Sequence, residues 1–350
     1  MRTGLFALLG LMALLGLCSM ASALPKPAAA SSSGKNSVKG TNSSAFRFID
    51  DSVTLGNVSV RFRINAPSQA VVQGSPSSGS GRLGVHVFLH GDGGSGFFTF
   101  PNKQSQSDLI GVALLAPNNN RRWGGGGGLT RPDGPLHSAI INQFIQQELP
   151  KHINFDSSRV FFTGVSGGSL LLSGFFLPQF GANFKNAGAL LLCGGMPPQV
   201  AFSDQGQFLQ TFRVHWESTQ NDLVELQNSI PDCIKAYEKQ ARTVGISDSV
   251  INQQLTADAT SVGGHCAFDG VGFTSGVQVL VNSLEQVLLG NGVIPALHNL
   301  NVRVGVVGNE DRLFKNPPPK GARTPPRPNR KSSNPVLAAR SFSDLDGIVL

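Results

Sequence analysis

The sequence predicts an α/β fold, with a mainly parallel central sheet and helices on both faces. Three observations predict it. Short apolar runs at 83–89, 111–116, 159–165, 186–192 and 211–216 have the length and the bounding turn residues of buried strands. Helical spacing separates several of them, as in Ile140, Ile141, Phe144, Ile145 and Leu149. The polar, glycine-rich segments begin where strands end, which is where such sheets carry their sites. Strands alternating with helices leave both sheet faces to be covered, so the sheet is largely parallel.

The N-terminus is read apart from the fold. Arg2 supplies a positive start, and Leu5 to Leu17 is an apolar run too short to span a bilayer comfortably. Ala21-Ser22-Ala23 is a small-residue cleavage site. Together they predict a secretory signal peptide over 1–23 and an extracellular protein. Residues 24–45, rich in Ala, Ser, Pro and Gly, are expected as a flexible leader. Residues 46–314 are expected as one catalytic domain. Residues 315–350, rich in Pro, Arg, Lys and Ser, have too little apolar surface to offset their ordering entropy and are expected as a disordered tail.

That tail changes the meaning of the formal charge of +7. Its seven basic and two acidic residues carry +5 of it. The body is then near neutral, which argues against a nucleic-acid face. No later apolar run is long enough for stable membrane insertion. Nothing in the sequence sets an oligomeric state. Asn42 and Asn57 head N-x-S sequons and are expected glycosylation sites if the secreting cell glycosylates.

Along the domain, Val53, Leu55, Val58, Val60, Phe62 and Ile64 alternate as in a strand over 52–64, and 75–81 reads as a loop. Residues 136–149 read as a helix, 169–177 as a short helix stopped by Pro178, and 223–242 as a helix kinked at Pro231. Residues 250–255 read as a strand and 277–289 as the last large helix.

Gly164-Val165-Ser166-Gly167-Gly168 is a G-x-S-x-G pattern with an apolar strand before it and an apolar helix after it. That context fits a serine held on a tight strand-to-helix turn with its hydroxyl projecting above the sheet. Ser166 is therefore the candidate nucleophile. Such a nucleophile needs two backbone N–H groups to hold an oxyanion. One comes from Gly167, the other from His90-Gly91-Asp92-Gly93-Gly94 after an earlier core strand, at Asp92 or Gly93. The nucleophile also needs a neutral imidazole. His265, late in the chain in Gly263-Gly264-His265-Cys266, is the histidine best placed on a loop, while His90 is read as a packing residue. The acid that supports the base is Asp222 by chain order, with Glu217, Asp269 and Asp311 as alternatives.

HGDGG, RVFFTGVSGG, the Asn221-Asp222 pair and GGHCAFDG together resemble secreted α/β-hydrolase esterases, nearest in pattern to the feruloyl esterase and polyhydroxybutyrate depolymerase group. The resemblance spans about 50–290; the acid loop matches only loosely, and the segment after Asn291 matches nothing. It implies ester hydrolysis through an acyl-enzyme, with no metal and no organic cofactor. The ester partner could be an aromatic or acetyl ester on a polysaccharide, or a polyester. Activity is expected to fall as pH drops through the titration of the base, since only neutral imidazole accepts the serine proton. A serine peptidase of the same fold, and an inactive binding or effector protein, are the rival readings.

Export permits disulfides. Cys266 adjoins the base and Cys233 follows the acid loop, so a Cys233–Cys266 bridge is expected, with Cys193 a competing partner for either. Trp123, beside five consecutive glycines, and Phe97, after the oxyanion loop, are candidates for lining a substrate pocket; core packing is the alternative.

Overall fold

The computed structural model describes residues 46–72, 81–101, 108–184, 186–297 and 301–310. The expected signal peptide, leader, basic tail and Asn42 sequon lie outside the described residues.

Nine strands form one sheet: β1 (Phe46–Leu55), β2 (Val58–Pro67), β3 (Gly84–Leu89), β4 (Leu109–Leu114), β5 (Val160–Val165), β6 (Gly188–Leu192), β7 (Arg213–Thr219), β8 (Leu255–Ser261) and β9 (Val304–Gly305). Their order is β1-β2-β4-β3-β5-β6-β7-β8-β9. β4, β3, β5, β6, β7 and β8 run parallel, while β1, β2 and β9 pair antiparallel at the two edges. A parallel sheet with this order and an antiparallel second strand is the α/β-hydrolase fold.

Two expectations are corrected. The strand expected over 52–64 is a hairpin closed at Gly56-Asn57, with Leu55 opposite Val58. Gly56 takes φ +58°, which favours glycine because it has no Cβ to clash. The three-residue step from Leu55 to Val58 marks that turn. Residues 250–254 are helical, at the end of α7, where Ile251 turns into the core while Asn252, Gln253 and Gln254 do not. The true strand, β8, starts at Leu255 and is built largely of Thr, Ala and Ser, so its sequence carries little apolar signal.

The helices are α1 (Ser95–Thr99), α2 (Gly134–Gln143), α3 (Leu149–His152), α4 (Gly167–Leu171), α5 (Leu177–Phe180), α6 (Val224–Thr243), α7 (Asp248–Gln254), α8 (Phe273–Asn282) and α9 (Leu284–Leu288). α2 runs into α3, and α4 into α5, through π-helical turns at Phe144–Glu148 and Leu172–Phe176. A proline follows each junction, Pro150 and Pro178. Proline has no N–H for the regular ladder, so the turn before it widens rather than breaking the helix.

Alternation along the strands sorts side chains to the two sheet faces. Val87, Leu89, Val112, Phe162, Leu191 and Trp216 enter one core, while Phe88, Phe161, Leu190 and Leu192 enter the other. With both faces packed, the open ground is the rim at the carboxyl ends of β3, β5, β7 and β8. Among the described residues no helix is long and apolar enough to cross a membrane.

Candidate active site

Ser166 stands between the last residue of β5 and the first of α4, with φ +49° and ψ −109°. That is an unfavourable conformation for a residue with a Cβ, and it is held from outside: the Ser166 N–H bonds Leu192 O of β6 at 2.9 Å. Gly168 is needed here because a side chain would run into Leu89 O at the end of β3. The turn is thus tight enough to lift the hydroxyl above the sheet.

Three side chains from separate elements meet at this rim. The Ser166 hydroxyl lies 3.0 Å from His265 Nε2, and His265 Nδ1 lies 2.6 Å from Asp222 Oδ1. The Asp222 carboxylate is buried, and it also accepts from the Ser218 hydroxyl at 2.7 Å and the Leu223 N–H at 2.7 Å. The carboxylate accepts from Nδ1–H of the imidazole, which leaves the lone pair on Nε2 facing the serine. The loop carrying the histidine is fixed in turn, since Thr219 Oγ1 donates to Gly264 O at 3.1 Å.

Glu217, an alternative acid, lies elsewhere. It is buried in β7, and its Oε2 lies 3.0 Å from His215 Nε2. Burial raises its carboxyl well above the usual range, with the Asp258 carboxylate adding to the shift. Burial lowers His215 to about 3. The pair is therefore neutral: protonated Glu217 donates to His215, whose Nδ1–H donates to Thr256 Oγ1 at 2.9 Å. Asp269 caps the turn before α8 by accepting from Val271 N–H, and Asp311 lies outside the described residues.

The His90–Gly94 loop, expected to supply the second oxyanion donor, abuts the serine. A Cβ on Gly91 would lie 3.6 Å from Ser166 Cβ. The Gly167 N–H opens α4, where no carbonyl of its own helix precedes it. The Asp92 N–H likewise has no acceptor among the described residues. Gly93 does not fill the second donor position: its N–H is spent on Arg121 O at 3.1 Å, which corrects that alternative. His90 is a packing residue, as expected. Its Nδ1–H donates to Gly91 O at 2.6 Å and its Nε2 accepts from Ala116 N–H at 2.9 Å, pinning the loop to the end of β4. Burial lowers it to about 4, so it remains neutral.

One residue that the sequence did not single out completes this loop. Arg131, with its side chain only 2% exposed, forms two parallel hydrogen bonds with the Asp92 carboxylate. Its guanidinium would lie 3.3 Å from a Cβ on Gly167, so it sits behind both donors. The glycine run 124–128 wraps it, and His137 Nδ1 holds that run through the Gly124 N–H at 2.8 Å. The glycines are conspicuous in the sequence; the arginine they enclose is not.

The disulfide is Cys193–Cys266, not Cys233–Cys266. Cys193 directly follows β6, next to the serine turn, so it faces the loop of His265 across the rim. Cys233 is inside α6, buried and unpaired, where burial raises its thiol to about 12. Helical phase turns it into the core. The Cys193 and Cys266 sulfurs and His265 lie within ligand distance of one another, but the two sulfurs are consumed by their own bond.

Trp123 and Phe97 do not line a pocket. Both are fully buried: Trp123 stacks near His90 and His137, and Phe97 packs under Phe98. A narrow cleft beside Ser166 is lined instead by Phe100, Val165, Phe273 and Val277. Phe273, 6.1 Å from the His265 ring, carries no sequence signal beyond its place at the start of the last large helix.

No protein-family model and no curated protein sequence matches the chain. Solved structures do. A predicted CIB-like hydrolase from Thermoplasma acidophilum aligns over 69% of this chain and 99% of its own, with 12% identity and a TM-score of 0.39. An arylesterase aligns over 68% and 83%, with 11% identity and a TM-score of 0.45. A ferulic acid esterase aligns over 63% and 91%, with 13% identity and a TM-score of 0.38. Fold and site rest on the strand order and the side-chain geometry described above.

Proposed function

We propose that the chain is a secreted serine hydrolase that cleaves carboxylic esters through an acyl-enzyme. The observation that carries this reading is the continuous hydrogen-bonded line from Ser166 through His265 to Asp222.

The steps follow from the geometry. The Ser166 oxygen attacks the ester carbonyl carbon as its proton passes to His265 Nε2. The carbonyl oxygen gains the negative charge and is received by the Gly167 and Asp92 N–H groups. Removing one such donor typically costs about 3–4 kcal/mol of transition-state stabilisation. Asp222 supports the imidazolium, which then gives its proton to the departing alkoxide as the C–O bond breaks. Water repeats the sequence, with His265 taking its proton, and the serine is released with the acid product.

Secretion is part of the proposal. It rests on the N-terminal signal pattern and is supported by a disulfide beside the base, since such bonds persist in oxidising compartments. Asn57 lies exposed in the β1–β2 turn, accessible to a glycosylating enzyme.

A panel of short-acyl, aromatic and polymeric esters, run on the wild type and on Ser166→Ala, tests the reading. Hydrolysis of at least one class by the wild type alone is expected. Faster cleavage of a peptide amide than of a matched ester would favour a peptidase. Failure of a phosphonate probe to label Ser166 would favour an inactive binding protein.

A further inference from the structure

We propose that the groove between Arg61 and Arg121, beside the oxyanion loop, is a subsite for a carboxylate-bearing saccharide. This rests on the esterase reading and extends it: the ester reaching Ser166 is carried on an acidic glycan.

The groove has a volume of about 330 Å³ and is lined by Ser52, Ser59, Arg61, Pro117, Asn119 and Arg121, among others. It lies at the same rim as Ser166, where the chain leaves β4. The link to the site is direct. Arg121 O accepts the Gly93 N–H, and Arg122 Nε lies 3.9 Å from Asp92 Oδ2. A chain lying in the groove would continue toward the serine along the oxyanion loop.

Charge sets the class of ligand. Arg61 and Arg63 share one carboxylate, Asp50, at 2.8 and 2.9 Å. Two guanidiniums on one acid leave a positive charge over. Arg121 adds another and has no ion pair among the described residues. Arg63 is further tied to the Phe97 and Phe98 carbonyls, so Arg61 and Arg121 are the two that face the groove. A planar guanidinium matches a carboxylate through paired hydrogen bonds.

The rest of the lining selects a saccharide over a lipid. Ser52, Ser59 and Asn119 are exposed neutral polar groups suited to sugar hydroxyls. Phe98, outside the lining, carries the Arg61, Arg63 and Arg121 guanidinium carbons over its ring at 5.7, 5.3 and 5.2 Å, which holds these cations together beside the groove.

The turn presenting Arg121 is built at a conformational cost. Arg121 has φ +48°, and the Asn118 side chain clamps both the N–H and the carbonyl of Arg122, winding the turn tight. Gly94 leaves the space the side chain needs, since a Cβ there would lie 2.6 Å from Arg121 Cδ. Backbone held in a sparsely populated region next to a reactive rim is a placement device.

The test uses the full-length Ser166→Ala protein, so that nothing is turned over. Tetragalacturonic acid and its fully methyl-esterified form are titrated calorimetrically. The acid form is expected to bind at least tenfold more tightly, with the advantage shrinking as salt rises. Arg61→Gln and Arg121→Gln, each added to that background, are expected to remove the preference. If either variant loses its fold by circular dichroism, Ser59→Asp is used instead, and a carboxylate placed in the groove is expected to weaken the acid form selectively. Equal binding of the two forms, no binding of either, or an undiminished preference in the variants overturns the subsite. Capture of phosphatidylserine vesicles without binding of tetragalacturonic acid also overturns it, in favour of a lipid surface. Hydrolysis plays no part in these readings, so a wild type that cleaves no ester would overturn the esterase reading while leaving the subsite to its own result.

Discussion

Arg131 holds Asp92 in a two-pronged grip, Nη1 to Oδ1 at 2.8 Å and Nη2 to Oδ2 at 2.9 Å, while its remaining donors take the Trp123 and Gly128 carbonyls. One buried cation thereby joins the oxyanion loop to the glycine-rich loop. The Asp92 backbone is set by its own side chain, which is set by Arg131.

Arg131→Lys keeps the charge and loses the fork. The Asp92 N–H would then drift from the line of the developing oxyanion, and misplacement of about 1 Å at a reacting centre can cost on the order of 10²-fold. We expect kcat on a small ester to fall by about 10–10²-fold with little change in KM. Steady-state kinetics at saturating substrate check this. A rise in KM with kcat intact would mean that Arg131 serves ground-state binding instead.

Asp222 and Glu217 are separated by the same logic. Asp222→Asn cannot hold the imidazole in the needed tautomer, and kcat should fall by about 10³–10⁴-fold. Glu217 is committed to His215 and is already protonated, so Glu217→Gln should leave kcat within a few-fold of the wild type. Comparing the two single variants on one ester decides which carboxylate serves the base.

Much of this site was legible because its residues follow strand ends, and strand ends are marked by apolar runs stopping at glycine. Ser166, His265 and His90 were read that way. Asp222 was placed by chain order and was separable from Glu217 only by seeing that β7 turns Glu217 inward. Pairwise relations across the rim were not legible. Cys193 and Cys266 are 73 residues apart, and their meeting depends on β6 lying beside β5, which no local pattern encodes. β8 and Arg131 were missed for a related reason: small polar strand residues and a loop arginine acquire meaning only from what packs around them.

Cys193→Ala should both destabilise the protein and loosen its base. By the loop-closure model, a 73-residue closure contributes about 4 kcal/mol. A melting temperature lowered by several degrees is expected, with kcat reduced well below that temperature because His265 adjoins the lost bridge. Cys233→Ala should leave kcat unchanged. Without reductant, an alkylating agent should label no cysteine of the folded mature protein and one after unfolding, since Cys233 is buried with its thiol raised to about 12. Two labelled thiols in the native protein would contradict the bridge.

Glu238 on α6 is buried, and burial together with the Glu310 carboxylate raises it to about 7, with Arg242 opposing the shift. The folded protein then keeps a proton that the unfolded chain releases near the ordinary carboxylate range. This contribution is complete below about pH 4.5 and is lost as pH rises through about 7. Because Arg242 reaches into solvent, which screens the local charges, its size should be on the order of 1–2 kcal/mol. Glu217 and Asp258, whose carboxyls burial raises, act in the same direction, while the buried His86, His90, His137 and His215 imidazoles, lowered by burial, act in the opposite one. The measurement is therefore a difference: in denaturant unfolding between pH 5 and 8, the stability of the wild type relative to Glu238→Gln should decline as pH rises. A difference that does not change with pH would show that Glu238 does not hold the proton.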